Sequence, residues 1–328
     1  MKNIFKLMIQ STILIAIVFS LQACSGKFPV ELKEVKQSTN SYNVNNKTKT
    51  VKEFSFQNSI IKSDKLITGV FKKSIHLQKS KKDIEGYSFI KHALINEFNA
   101  RNLQLNEVDN STNKINIEKF QIYTHRSHGF SPIVTFAMLK VTADIDGQVK
   151  TFSSIVKRAQ NPAFFSDLFD PSFNEPIMIM VKEITSKINK EFFNYKLSDE
   201  KVFKIADSIK EGIITKDRLT YLNIYELGFS NNQKALDTLI AYSNNTDEYI
   251  RLSSISMLGL IGGESQFEYL VSKYKNSKMW QDRALSLKAI SDIDTKKAKS
   301  FVNLQYNLWK DIDTKEGRWH TMLLETHK

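Results

Sequence analysis

The sequence predicts an α+β domain, an antiparallel sheet carrying two helices on one face, followed by an all-α solenoid. Three observations carry this. Residues 133–158 alternate apolar and polar side chains around a central Asp146-Gly147. Two segments, residues 85–101 and 174–192, repeat apolar positions at helical spacing. Beyond about residue 198, landmarks recur every 31 to 32 positions.

The first 23 residues are an export signal by their pattern. Lys2 and Lys6 precede an unbroken apolar core, residues 13–19, which is too short for a membrane span of about 20 residues. Leu21-Gln22-Ala23-Cys24 follows, and Cys24 is the only cysteine among 328 residues. This stretch resembles the lipobox of bacterial lipoprotein signal peptides, in which the chain is cleaved before the cysteine and the thiol carries a diacylglycerol. Leu21, Ala23 and Cys24 match; Gln22 is bulkier than the small residue usual there. The resemblance implies attachment to the membrane through covalent lipid at Cys24, in the bacterial cell envelope. Ser25 in place of the aspartate that retains such proteins at the inner membrane implies the outer membrane, facing the periplasm. Each buried methylene contributes about 0.8 kcal/mol, so two or three acyl chains hold a protein on a bilayer essentially permanently.

The mature chain then has no cysteine for a disulfide, a thiolate nucleophile or a sulfur-ligated metal. Losing Lys2 and Lys6 from the formal net charge of +12 leaves about +10, a surplus that favours anionic lipid, lipopolysaccharide phosphates or acidic partners. Nucleic acid is not expected, because Lys72, Lys73, Lys79, Lys81 and Lys82 lack interleaved aromatic residues. Residues 24–50 are rich in Ser, Asn, Thr and Lys with scattered apolar residues, the composition of a flexible tether spanning about 25–30 Å.

The first folded block covers residues 51–197. Its opening is strand-rich with weak register. Phe89, Ile90, Ala93, Leu94 and Phe98 then form the stripe of an amphipathic helix over 85–101. Ile115, Ile117, Phe120 and Ile122 alternate with polar residues, and the phase slips between Ile117 and Phe120, which predicts a bulge. Ile133 to Ile145 keeps a period of two, Asp146-Gly147 suits a type I′ turn, and Val149 to Val156 returns as a long hairpin. Asn174 is placed to cap a second helix with Pro176 in its first turn, and Ile177, Met180, Val181, Ile184, Ile188 and Phe192 form its stripe. Over residues 70–195 this element order resembles small envelope lipoproteins, including the auxiliary lipoproteins of ABC-type lipid transport systems and the lipopolysaccharide-assembly lipoprotein. That likeness implies handling of acyl chains or lipid headgroups.

The second block covers residues 198–328. Leu227-Gly228 recurs as Leu258-Gly259, Arg251 recurs as Arg283, and Lys234-Ala235 recurs as Lys297-Ala298. Residues 249–262 resemble the signature helix of HEAT-like repeats: Arg251 after an apolar residue, small residues beyond it, and Leu258-Gly259-Leu260-Ile261-Gly262 at the end. Small residues allow close helix approach, and Gly262-Gly263 ends the helix. Trp309, Trp319 and Met322 are expected to close the C-terminal end.

For chemistry, His125-Arg126-Ser127-His128 lacks the further ligands of a metal site and the glycines of a nucleophile elbow, so a solvated loop is expected. Arg251 and Arg283 are expected to bond neighbouring loops or the acids around Asp247 and Asp282. Phe164, Phe165 and Phe169 either pack beneath the second helix or present an apolar patch to a partner or lipid. The expectation is a non-enzymatic scaffold that uses no cofactor and no metal, binding an envelope protein through its repeats, with Lys273, Lys275 and Lys278 as contacts. The alternative is an accessory lipoprotein of a lipid or lipopolysaccharide transport system.

Overall fold

A computed structural model describes residues 28–44, 51–60, 66–69, 73–161 and 165–327. Cys24, the signal segment and Phe164 lie outside them. The strands are β1 (Phe28–Glu31), β2 (Lys52–Asn58), β3 (Leu66–Gly69), β4 (Lys73–Lys79), β5 (Lys82–Asp83), β6 (Leu105–Glu107), β7 (Lys114–Arg126), β8 (Ile133–Ile145) and β9 (Gln148–Gln160).

The long meander β7-β8-β9 is antiparallel and forms where the alternation is strongest. Asp146 and Gly147 both take positive φ, 55° and 78°, as a type I′ turn requires. The register shift in β7 falls between Ile117 and Lys119, at the predicted slip. The sheet as a whole is mixed, which corrects the expected antiparallel one: β2 and β3 run parallel to β7, β2 parallel to β6, and β1 parallel to β4. Alternation identifies strands without fixing their direction. The direction is set here by helix α1 (Gly86–Ala100), which carries the chain from the β2–β4 region back to β6 and β7, the crossover that parallel pairing needs. Glu85 caps α1 by accepting hydrogen bonds from the Tyr87 and Ser88 amides.

Residues 28–44 are not a tether. β1 pairs with β4, and Val30, Leu32, Val35 and Tyr42 are buried. The polar residues of this arm are hydrogen-bonded within the fold: Ser38 Oγ donates to Glu97 Oε1 (2.5 Å) and Tyr42 Oη donates to the Phe229 carbonyl (2.7 Å). An arm laid across other elements has no periodicity of its own, so its apolar residues look scattered in sequence.

Helix α2 (Glu175–Phe192) packs on β8 and β9 and against α1. A π-helical turn, Asp170–Asn174, leads into it, so Asn174 is already helical and does not cap. Its side chain instead accepts from the Lys33 amide (3.0 Å) and donates to Asp170 Oδ1 (3.0 Å).

An all-helical region follows: α3 (Asp199–Ile214), α4 (Thr220–Gly228), α5 (Leu236–Tyr242), α6 (Glu248–Gly262), α7 (Phe267–Asn276), α8 (Trp280–Ser291), α9 (Lys296–Trp309) and α10 (Lys315–His327). Helices α4, α6, α8 and α10 pack in succession, with α5, α7 and α9 behind them. Ser198, Asp247 and Thr295 cap α3, α6 and α9 with their side-chain oxygens. Gly263, at φ 55°, ends α6. A Cβ on Gly259 would lie 1.7 Å from the Ala289 carbonyl oxygen, so α6 and α8 touch backbone to side.

Buried side chains form one core across the junction at 197/198. Trp319 does not close the end of the helical region as expected. Its ring lies 5.2 Å from that of Phe136 on β8, because α10 folds back over β8 and β9. Trp309 does sit at the margin, stacked on His320 at 4.5 Å.

Candidate functional site

Helix α2 is held between the sheet and the row α4, α6, α8, and its polar residues make the seam. Ser186 Oγ donates to the Phe229 carbonyl at the end of α4 (3.3 Å), and Lys190 Nζ to the Leu260 carbonyl of α6. Tyr221 of α4 bonds Glu175. At the centre, four buried charges alternate in a closed ring. Lys187 lies 2.7 Å from Glu183 and 2.5 Å from Asp292, while Lys288 lies 2.5 Å from Glu183 and 2.8 Å from Asp292. Burial alone would raise the two carboxyl groups, but Lys187 and Lys288 outweigh it and hold both below the usual carboxylate range. Burial would likewise lower Lys288, yet Asp292 and Glu183 raise it. Each charge is matched, so the ring fastens α2 to α8, and His327 Nε2 of α10 lies 3.7 Å from Asp292 at its margin.

The neighbouring face of β9 carries Arg158, whose guanidinium sits 4.5 Å from the Tyr221 ring, 5.4 Å from Tyr249 and 5.8 Å from Tyr225. Its Nη1 donates to the Lys157 carbonyl (2.9 Å), and the guanidinium is otherwise enclosed by the three tyrosine rings, with no acceptor for Nε or Nη2 among the described residues. The open edge of β9 is covered: Tyr249 Oη donates to the Ala159 carbonyl (2.6 Å) and Lys187 Nζ to the Ser153 carbonyl (2.5 Å).

On the other flank of α2 a cleft of about 400 Å³ opens between the arm, α2, α3 and α4. Its lining combines basic side chains, Lys36, Lys182, Lys201 and Lys204, with apolar ones, Met178, Ile205 and Leu222. Glu226 also lines it, but Arg101 Nη2 (2.7 Å) and Asn40 Nδ2 (3.3 Å) occupy its carboxylate. Lys201 Nζ donates to the Ser41 carbonyl (2.9 Å). Burial pushes the Lys182 ammonium below the ordinary lysine value, with Glu226 pulling it back. Such a cleft suits an anionic group joined to an apolar one.

Arg251 and Arg283 are structural, and their arrangement recurs. Arg251 Nε bonds Asp282 (3.0 Å) and its Nη1 the Asn245 carbonyl (2.9 Å). Arg283 Nε bonds Glu316 (2.8 Å) and its Nη1 the Ser277 carbonyl (2.7 Å). Leu258 and Ile261 are buried. Lys275 and Lys278 are exposed, whereas Lys273 is half-buried and donates to Asn244 Oδ1 (2.8 Å). Phe169 packs on the core, and Phe165 opens the short helical turn Phe165–Leu168. His125 is the next-to-last residue of β7, on the strand and not in the expected loop, its Nδ1 3.1 Å from Thr68 Oγ1 and its Nε2 3.2 Å from Ser127 Oγ. Among the described residues no group of three metal-ligating side chains comes together, and no helix is long and apolar enough to cross a membrane.

The charge ring and the cleft escaped the sequence reading, although one signal was present. Glu183 and Lys187 are four apart on α2, and Lys288 and Asp292 are four apart at the end of α8, each pair set among apolar residues. No family model matches the chain, and no curated protein does. A solved structure described as "Crystal structure of uncharacterized protein" aligns at TM-score 0.31 and 6% identity, covering 49% of this chain and 99% of that one. That likeness carries no argument about fold or function.

Proposed function

We propose that this chain is a lipid-anchored protein of the bacterial envelope, held at the outer membrane through Cys24, whose HEAT-like repeats act as a non-enzymatic scaffold for an envelope protein. One observation supports it above others. The row α4, α6, α8 is already filled by α2 of the same chain, so the outward row is the one left for a partner. There α9 presents Leu304 and Leu308 one turn apart, at 56% and 57% exposure, and Lys275 near the end of α7 and Lys278 in the turn after it are exposed. An apolar stripe beside unpaired basic residues suits a partner with an apolar helix face and acidic flanks. The test is affinity capture from detergent-solubilised membranes with wild type, Leu304→Glu/Leu308→Glu and Lys275→Glu/Lys278→Glu. The scaffold reading expects the same protein to be captured by wild type and lost from both variants at unchanged melting temperature. Equal capture by all three would sink it.

The cleft beside Lys182 favours a second reading, an accessory lipoprotein of a lipid or lipopolysaccharide transport system that holds an anionic lipid. Phosphorus analysis of purified protein separates the two: this reading expects stoichiometric phospholipid in wild type and its loss in Lys182→Met.

A further inference from the structure

One end of the sheet gathers the point where the described chain begins and its most exposed aromatic ring. β1 starts at Phe28 beside Ile75, near the start of β4, and β3 ends at Gly69 beside Arg126, the last residue of β7. β8 starts at Ile133 beside Gln160, the last residue of β9. Phe28 is four residues from Cys24, so the lipid attachment point lies within about 14 Å of Phe28, a reach at ~3.3–3.6 Å per extended residue that extends to this end of the sheet.

The loop between β7 and β8 is tightly built. The His128 amide donates to Ser131 Oγ (3.0 Å), the Ser131 amide to the His128 carbonyl (3.0 Å), and Arg126 Nε to the Ser131 carbonyl (3.1 Å). Arg126 Nη2 also reaches the Gly129 carbonyl. The loop so fixed holds Phe130 at 95% exposure. Beside it lies the α9–α10 junction: Lys315 Nζ is 3.5 Å from Ser127 Oγ, and Ile312 is 41% exposed. A solvent-facing phenylalanine on a loop that also holds Arg126 and meets Lys315 matches the chemistry of a headgroup region, where aromatic side chains insert and Lys and Arg meet anionic lipid.

We propose that this end of the sheet rests on the bilayer, with Phe130 entering the headgroup region as a second contact beside the Cys24 lipid. The inference rests on the lipid-anchored reading above. It stands the β8–β9 hairpin away from the membrane, and thirteen residues per strand place the Asp146-Gly147 turn about 40 Å from the Phe130 end at ~3.3 Å per residue.

Acylation consumes the thiol of Cys24, so Phe130→Cys and Val149→Cys would each add the one free thiol of the full-length chain. Both positions are exposed, at 95% and 62%, so neither substitution removes packing. Each variant is labelled with an environment-sensitive fluorophore and reconstituted in vesicles of phosphatidylethanolamine and phosphatidylglycerol containing nitroxide-bearing lipid. The expected result is blue-shifted emission at position 130, quenched several-fold more than at position 149. Equal quenching at the two positions overturns the orientation while leaving the anchor intact. A wild-type Cys24 that reacts with maleimide and carries no fatty acid overturns the anchor reading and this orientation with it.

Discussion

Lys288 Nζ lies 2.5 Å from Glu183 Oε1, with neither side chain exposed to solvent, although the two are 105 positions apart. Glu183 belongs to the helix that rests on the sheet, and Lys288 to the third helix of the row behind it. Lys187 and Asp292 close the ring. Moving four charges out of water is costly, and their mutual attraction offsets the cost only in good geometry. The ring therefore contributes less to net stability than to fixing the position and direction of α2 against α8.

The ring should give a double-mutant cycle of distinctive shape. Glu183→Gln or Lys288→Gln alone leaves an unmatched buried charge and should lower unfolding free energy by about 3–5 kcal/mol. The double variant leaves Lys187 and Asp292 still paired, so it should recover a large part of the loss, giving a coupling energy above about 1 kcal/mol in urea titrations. Additive single losses would mean that the ring does not act as a unit.

Acid should loosen the same clasp. Glu183 and Asp292 have carboxyl pKa values below their unfolded values of about 4.3 and 3.9. Their stabilisation is thus present above about pH 4.3 and is lost as pH falls towards the folded values. Lys288 is shifted up, so its share is complete below the unfolded value of about 10.4 and is lost only as pH rises through the folded one. The ring's contribution to unfolding free energy should hold steady from about pH 5 to 9 and then fall by up to about 1.4 kcal/mol per pH unit for each of the two carboxylates on acidification, beyond the loss that starts near pH 6.5 because burial holds His320 and His125 below the ordinary imidazole value. Removing one carboxylate in Glu183→Gln/Lys288→Gln should reduce that acid slope by one group. An identical slope in the variant would place the proton uptake elsewhere.

Where local pattern decides structure, the sequence was legible. The β8–β9 hairpin, its Asp146-Gly147 turn, the slip after Ile117, the stripe of α1 and the glycine end of α6 each depend on residues within one or two turns of one another. Strand direction was not legible, because β2 and β3 owe their parallel pairing to the path through α1. The arm at residues 28–44 was missed for a related reason: Ser38, Asn40 and Tyr42 are satisfied by Glu97, Glu226 and the Phe229 carbonyl, all distant in sequence. The cleft beside Lys182 exists only because that arm crosses α2 and α3, so no local motif marks it. Arg251 does bond Asp282, one of the acids expected, whereas Arg283 bonds Glu316, which the sequence did not mark, and Asp247 caps α6 instead.

Gly259 should be intolerant of even a methyl group. Helix propensity alone favours alanine by about 0.8–1.0 kcal/mol, but the added Cβ would stand 1.7 Å from the Ala289 carbonyl oxygen, which is backbone and cannot turn aside. Forcing α6 from α8 should outweigh the propensity gain and leave Gly259→Ala less stable by about 1–2 kcal/mol. Gly129→Ala is the control, since nothing lies within 4 Å of its Cβ position, and should change stability by less than about 0.5 kcal/mol. Denaturant midpoints of the two variants decide the matter, and a stabilised Gly259→Ala would show that the helices can part at little cost.

Finally, the sheet and the helical region should unfold as one. The sequence period beyond residue 198 argues for a self-contained unit, and Ser198 does start a new helix. The packing argues the other way. Trp319 of α10 lies on Phe136 of β8, Ser153 Oγ of β9 donates to the Thr326 carbonyl of α10 (2.6 Å), and Lys288 and Asp292 find their opposite charges on α2. Cut at the junction, the helical half would expose these groups and leave Arg158 without its tyrosines. All three tryptophans, Trp280, Trp309 and Trp319, belong to the helical half, so their fluorescence follows it alone. Its urea midpoint should coincide with the loss of amide-exchange protection in β8, as expected of one cooperative unit. A tryptophan transition that persists after β8 exchanges freely would establish two independently folding parts and remove the seam from the account of stability.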